Sequence, residues 1–109
     1  MLNRVNFRLE AHSDRLNRHR LYVVEIGQDL FGAHTVDIGF GRAGAWQRIQ
    51  RFAFAAPQDA SRLVMARLRR RATARKRIGC PYRLPEDAKS TVDSSTYTLD
   101  LSAFRALSR

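Results

Sequence analysis

Four stretches of the chain alternate apolar and polar residues, and a fifth repeats its apolar positions at helical spacing. In residues 4–11, Val5, Phe7 and Leu9 lie on one side and Arg4, Asn6, Arg8 and Glu10 on the other. A period of two describes a half-buried strand. The polar run HSDRLNRH at 12–19 breaks the pattern and predicts a connection. Residues 20–27 (RLYVVEIG) carry apolar groups on both faces, Tyr22, Val24 and Ile26 against Leu21 and Val23, which predicts a central strand. In QDLFGA (28–33), Asp29 and Gly32 suit a tight reversal, so strands two and three should form a hairpin. Leu30 and Phe31 in that loop are expected to fold back on the sheet rim.

Residues 34–41 alternate again, with Val36, Ile38 and Phe40 in phase and Thr35, Asp37 and Gly39 opposite, so Phe40 faces the core. A fourth strand, 46–54 (WQRIQRFAF), slips phase between Ile49 and Phe52; a β-bulge there would return both to the core face. Pro57 and Asp59 suit a helix start, and Ala60, Leu63, Val64, Leu68 and Ala72 form its apolar stripe. Arg67, Arg71 and Arg75 later enter the same arc, so the second half of the helix either projects or lays arginine stems along the sheet edge. Gly79 before Pro81 is the stop signal. The fold class this implies is α+β: a twisted antiparallel sheet of four to five strands with one packed basic helix in residues 1–84. Residues 85–109 form an acidic, Ser/Thr-rich tail, in which Tyr97, Leu99 and Leu101 alternate before Ala103, Phe104 and Leu107. A late edge strand and a small hydrophobic latch both fit that pattern.

Composition changes the picture from fold to partner. At 109 residues the chain makes one domain, and its formal charge is +10. Eighteen of its 20 cations are arginine; the two lysines are Lys76 and Lys89. Arginine's planar fork fits phosphate, although a GC-rich genome gives the same bias. Residues 62–77 hold seven Arg and one Lys without one acid, a run whose self-repulsion a polyanion would relieve. Cys80 is the lone cysteine, so a disulfide framework within the chain is excluded and a reducing compartment is the default. The N-terminus lacks the apolar core of a signal peptide, and no run is long enough to span a membrane, which predicts a cytoplasmic protein.

Enzymatic chemistry finds little support. His12, His19 and His34 fall mostly in predicted turns without metal-ligand spacing and read as surface histidines, and Glu10, Glu25 and Asp37 read as partners for neighbouring arginines. Cys80 reads as a small structural thiol, and no phosphate-binding GxxxxGK loop is present. No metal and no cofactor is implied. The candidate nucleic-acid-binding residues are Arg42, Trp46, Arg48, Arg51, Arg67, Arg69, Arg70, Arg71 and Arg75. Guanidinium groups beside aromatic rings are the mixture that strand ends and single strands prefer. Gly39, Phe40 and Gly41 form a structural motif in which the glycines permit close approach and set the aim of Arg42.

From Arg20 to Tyr82 the order of these elements resembles the WGR domain, a family named for Trp-Gly-Arg. The resemblance rests on Arg20-Leu21-Tyr22, on Asp29-Leu30-Phe31-Gly32, on Phe40-Gly41-Arg42 where the naming tryptophan is a phenylalanine, and on a helix ending near a Gly and a Tyr. It implies an antiparallel sheet with one packed helix, as found in poly(ADP-ribose) polymerases and in small bacterial proteins. In the polymerases the module contacts DNA at breaks, with the tryptophan stacked on a terminal sugar and the arginine making polar contacts. Carried over, Arg42 keeps its position, and Phe40 keeps the aromatic packing but loses the indole donor. The function expected is a non-enzymatic module binding nucleic acid, DNA rather than RNA, at ends or nicks. The alternative is an adaptor whose basic helix docks an acidic protein or its own tail.

Overall fold

A computed structural model describes residues 2–45, 47–85 and 96–105. Alternation becomes an antiparallel meander of β1 (Leu2–Ser13), β2 (Arg18–Gln28), β3 (His34–Arg42) and β4 (Arg48–Phe54) in sequential order. Register aligns the predicted faces: Leu9, Tyr22 and Phe40 form one row across three strands, and Ile26, Val36 and Phe52 another. Helix α1 (Pro57–Ala72) packs on this side against β3 and β4, and its Ala60, Val64 and Leu68 are buried in one core with Val5, Leu9, Val24 and Ile38. Each large aliphatic side chain so enclosed contributes about 1.5–3 kcal/mol. Phe40 is half-buried and packs on the core, as its phase requires.

Two expectations about the sheet are corrected. The β3–β4 register runs unbroken from His34 opposite Phe54 to Phe40 opposite Arg48, so there is no bulge. Ile49 instead points to the outer face at 69% exposure, and Gln50 takes the helix side, where its amide oxygen accepts a hydrogen bond from Arg67 Nη1 at 3.0 Å. A polar partner on the helix makes that site suit Gln better than Ile. Leu30 and Phe31 do not fold back; they stand 95% and 96% exposed. The loop satisfies its own backbone, Asp29 Oδ1 accepting the amides of Phe31 and Ala33 at 2.9 Å each, so the two apolar side chains are not needed to close it.

The helix is less continuous than its stripe implied. It breaks at Thr73, whose hydroxyl donates to the Arg70 carbonyl, resumes as α2 (Arg75–Ile78), and stops at Gly79, which has a left-handed φ of 83°. Of the two readings of the tail, the latch is the one seen in residues 96–105. Tyr97, Leu101 and Phe104 are buried in the common core, Thr98 N–H donates to Ser61 Oγ, and Leu84 N–H donates to the Phe104 carbonyl. A single 3-10 turn, Ser102–Phe104, closes the segment, and no fifth strand joins the sheet among the described residues. Glu86, Asp87 and Asp93 of the acidic tail lie outside them. Among the described residues, no helix is long and apolar enough to cross a membrane.

Candidate nucleic-acid interface

The meander brings the end of β3, the start of β4 and the Arg20 end of β2 to one edge of the molecule, and the arginines follow. Arg20 pairs with Arg42 across β2 and β3, and Phe40 pairs with Arg48 across β3 and β4, all on the helix side of the sheet. The turn after Arg42 is tight: Ala45 N–H donates to the Arg42 carbonyl at 3.1 Å, with Gly44 at φ 82°. Gln47 Nε2 donates to the same carbonyl and to that of Ala45, fixing where β4 begins. Arg42 is exposed at this corner and donates to Asn17 through Nη1 and Nη2.

The second half of the helix resolves in favour of stems laid on the sheet. The Arg67 guanidinium lies 5.5 Å from the Phe52 ring centre, and that of Arg71 lies 4.4 Å from the Tyr22 ring centre. Such contacts contribute from about 0.5 kcal/mol where exposed to about 2 where water is excluded. They also hold each charge at the surface of the sheet.

Between helix and sheet lies a cleft of about 230 Å³ lined by Arg20, Arg70, Arg71, Ala74, Arg77, Ile78 and Tyr82. Among the described residues that line it, four are arginines and none is acidic. Burial pushes the Tyr82 hydroxyl up, while Arg71, Arg20 and Arg77 act against that rise. Burial likewise raises Tyr22, opposed by Arg71 and Arg67. The Tyr22 hydroxyl is buried without a hydrogen-bond partner among the described residues. Tyrosines kept neutral under a lid of guanidinium groups leave the cleft cationic, suited to phosphate or carboxylate.

The predicted site residues divide. Arg70 and Arg71 line the cleft, Arg42 is paired across the strands with its Arg20, and Arg48 and Arg67 lie on the same side of the sheet, Arg67 beside Gln50 and Phe52. Arg69 turns to the other flank of α1, beside Met65, Asp100 and Ser102, and Arg75 is exposed on α2. Arg51 is on the opposite face of the sheet, held by Asp37 in a two-pronged ion pair at 2.7 and 3.0 Å. It therefore does not join Arg42 and Arg48 on one side. Trp46 lies outside the described residues. Gly39 is buried, with Ile49 Cγ1 and Gln47 Cβ at 3.8 and 3.9 Å from where a side chain would start, which is ordinary contact distance.

Arg20, Arg77 and Tyr82 were absent from the predicted set. Pairing Arg20 with Arg42 through the hairpin register would have found the first, whereas Arg77 reaches the cleft from α2, beyond a break in the helix that the apolar stripe did not show. The histidines are less plain than expected. His34 is buried, its Nδ1 2.8 Å from the Tyr97 hydroxyl. His12 and His19 face each other with their Nδ1 atoms 2.9 Å apart, and Glu10 sits 2.8 Å from His12 Nε2. That contact is the main cause holding the Glu10 carboxyl below the usual carboxylate range. Among the described residues no group of three or more His, Cys, Asp or Glu gathers as a metal site. Comparison with protein-family models, with curated proteins and with solved structures returns no match.

Proposed function

We propose that this chain is a non-enzymatic nucleic-acid-binding module that grips the phosphate backbone through the arginine cleft and the neighbouring Arg42, Arg48 and Arg67. The observation that carries the reading is the cleft itself: Arg20, Arg70, Arg71 and Arg77 line one opening, with no carboxylate lining it among the described residues. Packing four guanidinium groups together costs electrostatic self-energy that a polyanion returns on binding. A backbone of regularly spaced phosphates is the commonest ligand of that kind. The resemblance to the WGR domain directs the proposal toward DNA, and toward ends and nicks, with Arg42 as the residue carried over from the motif.

Fluorescence anisotropy with labelled nicked, blunt-ended and single-stranded DNA at low salt tests it. The expected outcome is binding, tightest to nicked or blunt-ended DNA, that the double change Arg70→Glu and Arg71→Glu abolishes. Absence of binding at low salt, or indifference to the charge reversal, refutes it.

The alternative, a protein-interaction adaptor, draws support from a different surface. Leu30 and Phe31 are presented almost fully exposed on a loop braced by Asp29. Partners recovered from lysate after nuclease digestion, and lost on Leu30→Ser with Phe31→Ser, favour the adaptor; partners lost on digestion favour nucleic acid.

A further inference from the structure

The turn joining β1 to β2 reaches the corner where β3 ends. Asn17 in that turn has φ 50°, the one left-handed non-glycine residue among those described. The conformation suits Asn better than most residues with a side chain. It directs two acceptors at one guanidinium: the Asn17 carbonyl takes Arg42 Nη1–H at 3.3 Å and Asn17 Oδ1 takes Arg42 Nη2–H at 3.1 Å. Arginine carries five N–H donors, so this fork occupies two and leaves three for a ligand.

The turn is itself held from several sides. Asn17 N–H donates to the Asp14 carbonyl at 3.1 Å, Leu16 N–H donates to Ser13 Oγ at 3.3 Å, and Ala43 N–H donates to the His19 carbonyl at 2.8 Å. The last of these ties β2 directly to the residue after Arg42. An exposed arginine at a strand end would otherwise sample many rotamers, and a ligand would have to freeze them.

We propose that Asn17 is a positioning residue for the nucleic-acid interface, fixing the direction of the Arg42 guanidinium before a phosphate arrives. It acts through Arg42 and need not touch the ligand. The inference rests on the proposed nucleic-acid reading for its consequence, and on the fork alone for its cause.

Two measurements separate these. Without DNA, nitrogen NMR of the Arg42 guanidinium should show slow rotation about the Nε–Cζ bond in the natural chain, fast rotation in Asn17→Gly, and slow rotation again in Asn17→Asp. Glycine keeps the left-handed backbone while removing Oδ1; aspartate restores the acceptor. With nicked DNA, Asn17→Gly should weaken binding about fivefold, the equivalent of one net hydrogen bond. That loss should vanish when Arg42→Gln is already present, because the pair acts as a unit. Fast Arg42 rotation in the natural chain, or a loss in Asn17→Gly that simply adds to that of Arg42→Gln, overturns the proposal. Slow rotation restored by Asn17→Asp, in a chain that binds no DNA, upholds the positioning and refutes the function proposed above.

Discussion

Gly79 and Gly44 have nearly the same left-handed backbone, φ 83° and 82°, yet their surroundings differ. A Cβ added at Gly79 would run into the Leu16 side chain, whereas at Gly44 nothing lies within 4 Å. Gly44→Ala should therefore cost only the backbone strain, roughly 1 kcal/mol, and Gly79→Ala that strain plus the displacement of Leu16, about 2 kcal/mol together. Urea unfolding of the two variants measures the difference; equal losses contradict it. Sequence showed Gly79 as a helix stop, because the Gly with a following Pro is a local signal. It did not show Leu16 above it, since that contact joins segments far apart in the chain. His34 was missed for the same reason: its partner Tyr97 comes 63 residues later.

At the scale of elements, alternation placed three strands correctly and misplaced part of the fourth. In β4 the apolar identity of Ile49 suggested the core face, but the unbroken pairing with β3 puts Ile49 outside and Gln50 under Arg67. An edge strand beside an arginine-rich helix rewards a polar side chain on its inner face, which no hydropathy pattern contains. Ile49→Asn should change stability by less than about 0.5 kcal/mol, while Phe52→Ala, half-buried beneath Arg67, should cost roughly 2 kcal/mol. A large loss from Ile49→Asn in chemical denaturation would restore the bulge.

The β1–β2 hairpin carries a pH dependence. Glu10 is held below its usual range chiefly by its hydrogen bond with His12, opposed by burial and helped by Arg8. A carboxylate with a depressed folded value stabilises the protein above the unfolded range and loses that contribution as pH falls through the folded value. Thermal stability should thus fall as the pH drops below the usual carboxylate range, and Glu10→Gln should flatten that slope.

For the whole molecule, charge is divided by the sheet. The outer face neutralises itself through Arg4 with Glu25, Arg8 with Glu10 and Arg51 with Asp37, at 2.7–2.9 Å. On the helix side, the charged groups that line the cleft are, among the described residues, all arginines. The basic run of the helix was plain in the sequence because it is contiguous. Its meeting with Arg20 required the hairpin register, and the removal of Arg51 to the other face required the register of β4. Composition therefore showed that the protein is cationic, but the pairing of strands decides where.

The dependence of DNA affinity on salt tests the central claim most directly. For the natural chain, log K should fall linearly with log salt, with a slope of about −0.9 per phosphate neutralised. Changing Arg20 and Arg70 to Gln should reduce that slope by about 0.9 for each arginine in contact, while Arg51→Gln, on the paired outer face, should leave it unchanged. A slope that responds equally to all three arginines, or to none, would contradict a localised phosphate-binding cleft.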